Sequence, residues 1–127
     1  MAAATVAVRW RDGDGGGYRT PAGRRPIGEF IDELSDLDAA AVVAAMKEVA
    51  IDGMSAARHV RGEIYEVRAT GDRTRYRILF AQEGKRGQVL LALEGFAKKT
   101  QKTPPQSLAL AERRLADWRR RGRSYRN

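Results

Sequence analysis

The sequence predicts an α+β fold in which an N-terminal strand and a helical hairpin pack on a small, mostly antiparallel sheet, with a C-terminal helix at the end of the chain. Three observations predict it. Apolar residues recur at helical spacing twice between 26 and 53 and again after 103, whereas 63–80 alternates with period two. Between those stretches, VLLALEGF at 89–96 is apolar on both faces, as a covered strand must be. The 127 residues suit one domain spanning 1–127, and 43% hydrophobic against 31% charged residues exclude a disordered chain.

The elements follow in order. Thr5 to Trp10 is β-branched and alternating enough for a short strand, which the DGDGGG run at 12–17 breaks; 12–24 reads as a flexible loop. That run lacks the strand-to-helix context of a phosphate-binding loop. Pro26 suits a first helical position, and Ile27, Phe30, Ile31 and Leu34 form one apolar stripe of a helix over about 26–35. Ser35 or Asp36 can cap a second helix carrying Leu37, Ala41, Ala45, Met46 and Val49, with Gly53 as its left-handed stop. Glu29, Asp32, Glu33, Asp36, Asp38 and Glu48 then fall on exposed faces of this helical hairpin.

From Glu63 the period is two. Tyr65 and Val67 point one way and Glu66 and Arg68 the other; Thr70, Gly71 and Asp72 supply a turn; Arg73, Arg75 and Arg77 then alternate with Tyr76, Ile78 and Phe80. If the apolar face (Tyr65, Val67, Tyr76, Ile78, Phe80) packs on the helices, arginine is concentrated on the opposite face. A turn at 82–88 leads into 89–96, whose exit carries AKKTQKT. Thr103 caps the last helix, with Pro104 and Pro105 in its first turn and Leu108, Ala111, Leu115 and Trp118 as its stripe. Arg119–Arg121 and Gly122 should end it, leaving 122–127 as a basic tail. A basic last turn complements the helix dipole, a reading that stands beside a nucleic-acid role for the same arginines.

The net charge of +8 is unevenly placed: residues 1–57 hold six Lys/Arg against nine Asp/Glu, residues 58–127 eighteen against seven. A cationic second half draws polyanions, so nucleic acid, the ribosome or an acidic protein are the candidate partners beside the plain reading of a soluble basic protein. The chain has no cysteine, which excludes thiolate metal sites, disulfides and cysteine nucleophiles. No stretch resembles a signal peptide or a membrane span, so a cytoplasmic protein without membrane contact is expected.

IYEVR at 64–68, RYRILF at 75–80, LEGFAKKTQKTP at 93–104 and a helix with A-x-x-R at 111–114 occur in this order over roughly 5–121. The set resembles the RelE/HigB superfamily of toxins, in particular its phage-derived HigB-like branch, with GFAKKTQKTP the most specific segment. The resemblance implies a RelE-like fold and the toxin half of a type II toxin–antitoxin pair. It implies a cognate antitoxin, often a helix-turn-helix protein, and ribosome-dependent cleavage of mRNA, with a homodimer or a toxin–antitoxin hetero-oligomer as the assembly. Other members of the superfamily inhibit DNA gyrase without nuclease chemistry, and a basic RNA- or ribosome-binding module without cleavage is a third reading.

Metal-free RNA cleavage needs a base for the 2′-hydroxyl, cations for the phosphorane and an acid for the leaving 5′-oxygen. Arginine holds phosphate bidentately, and a lysine crowded by cations gives up its proton more readily. The resemblance sets Arg77 on the scissile phosphate, Lys98 and Lys99 among the cationic or acid/base residues, and Arg68 in the same cleft. Glu66 stands where better-known ribosome-dependent nucleases carry lysine; it can be a general base or an ion-pair partner of Arg68 or Arg77, and the frequency of charged cross-strand pairs favours the latter. Arg61, Arg73, Arg75, Gln101 and Lys102 are the expected RNA contacts. His59, the one histidine, reads as a boundary residue rather than a catalytic imidazole, and Tyr65, Tyr76, Trp10 and Trp118 as packing residues. No His/Asp/Glu cluster has metal-ligand spacing, so neither metal nor cofactor is expected.

Overall fold

A computed structural model of the chain describes residues 9–11, 17–99 and 101–126. Residues 5–8 of the expected first strand and 12–16 of the glycine run lie outside the described residues. The elements are β1 (Arg9–Trp10), α1 (Pro26–Asp32), α2 (Asp36–Asp52), β2 (Arg58–Arg61), β3 (Ile64–Thr70), β4 (Arg75–Glu83), β5 (Val89–Ala97) and α3 (Pro105–Arg126), with a 3-10 turn over Gly53–Ala56. The sheet order is β1-β5-β4-β3-β2, antiparallel except for β1 against β5. The α+β expectation holds, with β5 in the interior of the sheet. No described helix is long and apolar enough to cross a membrane.

The sheet separates two cores. On one face α1 and α2 bury Ile27, Ile31, Val42, Met46 and Val49 against Val67, Tyr76, Ile78, Phe80 and Leu90. The hairpin's apolar face thus packs as its alternation requires, with Tyr65 half-buried beside Phe80. On the other face Leu108, Ala111 and Leu115 of α3 meet Ile64, Leu79, Ala81, Leu91 and Leu93. This second layer is why β5 is apolar on both sides. Fully burying a side chain such as Phe80 or Leu91 contributes about 1.5–3 kcal/mol. Trp10 is core, its Nε1 donating to Met46 O at 2.5 Å, and Trp118 is half-buried.

Several local expectations are corrected. Ser35 does cap α2, accepting from Asp38 N at 3.2 Å, and Gly53 stops it at φ 78°. Leu37, however, is 64% exposed rather than on the buried stripe, because the face that meets the sheet runs through Val42, Ala45, Met46 and Val49. Asp38 is buried rather than exposed: its carboxylate accepts from Tyr76 OH at 2.5 Å and Asp72 N at 2.7 Å, tying α2 to the β3–β4 turn. Those donors hold its carboxyl below the usual carboxylate range. A strand forms at 58–61, where none is expected, and pairs with β3 across a turn at Gly62 with φ 55°. Finally, α3 does not stop at 119–122 but runs to Arg126. Gly122 costs a helix interior only about 1 kcal/mol, and Asp117 supports the turn by pairing with Arg120 and Arg121.

Candidate functional site

Register builds the cationic end of the sheet. On the α3 side, Arg75 lies opposite Thr70, Arg77 opposite Arg68 and Phe96, and Leu79 opposite Glu66 and Glu94. Lys98 continues the outermost row, its amide donating to Arg75 O at 2.7 Å. The apolar contacts of α3 lie farther in, on Leu79, Ala81 and Leu91, so the outer rows keep their charged residues.

Facing arginines on neighbouring strands repel, and Glu66 resolves the conflict. It is 2% exposed; Oε1 accepts from Arg68 Nε at 3.1 Å and Oε2 lies 3.6 Å from Arg77 Nη1. Arg77 is itself 1% exposed, donating from Nη2 to Gln101 O at 2.8 Å and from Nη1 to Thr103 Oγ1 at 3.4 Å; its Nε has no partner among the described residues. The Thr103 hydroxyl in turn donates to Glu66 Oε2 at 3.4 Å. Of the two readings of Glu66, the geometry is that of the ion pair, and it engages both arginines. Arg77 sits beneath the site, clamping the segment that leaves β5, and does not face solvent.

Above this pair lies an open groove of about 690 Å³, lined by Arg73, Thr74, Arg75, Ala97, Lys98, Lys99 and Gln101. Arg73 belongs to the turn rather than to β4, yet still lines the groove. Lys98 is half-buried, and its burial, then the charges of Arg77, Arg68 and Arg75, lower its ammonium below the ordinary lysine value, against the opposing pull of Glu66. Arg68 stays 48% exposed, so its fork reaches solvent while its Nε is held. Such an arrangement can grip a phosphate with guanidinium groups and present an amine that parts with its proton easily.

The remaining expected residues are placed elsewhere or less closely. Lys102 is exposed but does not line the groove. Arg61 pairs with Glu112 of α3, away from the groove. His59 is exposed on β2, its Nε2 donating to Gly62 O at 2.8 Å and its ring against Tyr65, which suits a structural role. The 119–121 arginines serve the fold: Arg119 bridges Glu63 and Glu83, while Arg120 and Arg121 pair with Asp117. The sequence reading gives Thr103 as the cap of the last helix and misses it as a partner of the buried pair; the helix starts at Pro105 and the Thr103 hydroxyl is engaged by Arg77 and Glu66. It also misses Tyr18, buried with its hydroxyl on Asp117 Oδ2 at 2.7 Å, which anchors the 17–24 part of the loop to α3. Among the described residues no group of three or more His, Asp or Glu side chains is placed to hold a metal ion.

A comparison with curated proteins finds no match. The model of the phage-derived Gp49-like family matches residues 29–116, from within α1 to about the middle of α3, and so includes β3, β4, β5 and every groove residue. The chain therefore belongs to the phage-derived Gp49-like family, a toxin-type family of toxin–antitoxin systems with a RelE/HigB-like fold, and its membership implies an antitoxin partner.

Proposed function

We propose that this chain is a HigB-like toxin that cleaves mRNA on the ribosome, in the cytoplasm, without a metal, and that a helix-turn-helix antitoxin neutralises it. The observation that carries the reading is the groove that sets Lys98 among Arg68, Arg75 and Arg77 at the open end of the sheet. In the reaction the 2′-oxygen of one nucleotide attacks the adjacent phosphorus, the new P–O2′ bond replaces the P–O5′ bond, and a 2′,3′-cyclic phosphate and a 5′-hydroxyl are left. Arg75 and Arg68 hold the phosphate oxygens as charge builds on them, and Lys98, with Lys99 beside it, serves proton transfer. Glu66 and Arg77 act beneath the substrate, fixing Arg68 and the Gln101–Thr103 segment.

One observation favours a second reading, binding without cleavage to gyrase or another target: with Glu66 committed to two arginines, no carboxylate among the described residues lines the groove. Inducible expression separates the two. Growth arrest with new mRNA 5′ ends inside translated codons, abolished by Arg75→Ala and by Lys98→Ala in folded protein, is the expected outcome. Arrest with intact mRNA selects the second reading, and toxicity retained in both variants rejects the site.

A further inference from the structure

The groove ends at β4 and β5, but the register carries the same sheet face across β3 to the edge strand β2. Lys98 and Arg75 share the outermost row, Arg68 lies one row inward on β3, and Arg58 lies one row farther on β2, opposite Glu66. Strands are about 4.8 Å apart and paired rows about 6.7 Å, so each diagonal step from Arg75 to Arg68 to Arg58 covers roughly 8 Å between Cα atoms. The four cations form a line from the groove to the sheet edge.

Arg58 is exposed, and among the described residues no hydrogen bond or ion pair engages its side chain. That sets it apart from Arg24, Arg61, Arg114 and Arg119, each paired with a carboxylate. Its cross-strand neighbour Glu66 has no need of it, being already met by Arg68, Arg77 and Thr103. A charge that the fold leaves unused, in line with three others, fits an external polyanion. The large hydrophobics exposed among the described residues, Leu37 and Ile51, both lie on α2 in the opposite layer, so this face offers none of the apolar anchors that a protein partner would use.

We infer that single-stranded RNA passes Lys98 and Arg75 and leaves the groove along the diagonal Arg75–Arg68–Arg58, with Arg58 on the edge strand gripping a phosphate beyond the cleavage position. The inference rests on the proposed nuclease reading and gives it a footprint: the chain crosses four strands and exits over β2. Because Arg58 grips backbone, its contribution does not depend on base identity.

The test is a salt series of binding between the full chain and a labelled oligouridylate, for wild type, Arg58→Gln, Arg75→Gln and, in the turn at the far end of β4, Arg86→Gln. Each lost phosphate contact should lower the magnitude of the log–log salt slope by about 0.7. The expected result is that drop, with several-fold weaker binding at low salt, in both Arg58→Gln and Arg75→Gln, and no change in Arg86→Gln. A wild-type slope in Arg58→Gln beside a reduced one in Arg75→Gln overturns the track and leaves the groove standing. A wild-type slope in both rejects the groove itself. Oligoglutamate displacing oligouridylate at matched charge overturns the assignment to RNA in favour of an acidic protein segment.

Discussion

Replacing Glu66 by leucine tests the buried pair on which the site rests. The carboxylate is 2% exposed and, among the described residues, supplies the only negative charge paired with Arg77, which is 1% exposed and whose Nε has no partner among them. Leucine would leave that guanidinium buried with Gln101 O and Thr103 Oγ1 as its acceptors among the described residues. Stranding one partner of a buried pair costs about 3–5 kcal/mol. For a domain of this size that is roughly 9–25 °C in Tm, using about 3–5 °C per kcal/mol. Removing both charges is far milder, so Glu66→Leu/Arg77→Met should recover most of the loss, with a coupling of about 2 kcal/mol or more. Urea titration followed by circular dichroism measures all four corners of the cycle. A Glu66→Leu cost under about 1 kcal/mol, or strict additivity, would refute the reasoning.

Three further outcomes are expected. Gly95→Ala should cost about 1–3 kcal/mol in urea titration, because a Cβ there would stand 2.7 Å from the Phe30 ring and 3.0 Å from Ile78 Cδ1, where α1 packs on β5. Asp38 and Asp117 have carboxyls held below their unfolded value, so their stabilisation is present above about pH 4 and is lost as pH falls through the lower folded values; Asp38→Asn should flatten the acid limb of a stability–pH curve, while Glu94, raised by burial, works in the opposite sense. Lys98 should titrate below 10.5 when its side-chain resonances are followed by NMR, and Arg75→Gln should raise its midpoint only part of the way, since burial is the larger cause.

The hairpin is legible because its alternation has one solution. Moving β3 or β4 by a residue would bury Arg68 and Arg75 among the helices and expose Val67 and Ile78. The terminal helix is legible for the same reason, since Leu108, Ala111 and Leu115 repeat at helical spacing. What periodicity conceals is depth. Arg77 and Arg75 alternate identically in sequence, yet one is sealed under the Gln101–Thr103 segment and the other lines the groove. Asp38 looks like any surface acid of a helix first turn until Tyr76 and Asp72, more than thirty residues away, donate to it. β2 is hidden because RHVR carries too few apolar residues to mark a strand; it forms because β3 offers it an unpaired edge.

The depth of Arg77 also changes what its loss would mean. An arginine on the scissile phosphate and an arginine beneath the site both abolish activity when replaced by alanine, so a dead Arg77→Ala does not distinguish them. Placement does. Arg77 holds Gln101 O, and Glu66, the same carboxylate that it meets, holds Arg68 by Nε alone and leaves the rest of that fork to solvent. Arg68 is therefore aimed by a pair that is itself sealed from solvent. A surface cation acts through its own charge, so its removal lowers the salt slope of RNA binding by about one contact. A buried support acts through geometry: its removal loosens Arg68 and the exit of β5 together while stability falls. Arg77→Met should accordingly weaken RNA binding and lower Tm in one variant, whereas Arg75→Gln should weaken binding at unchanged Tm.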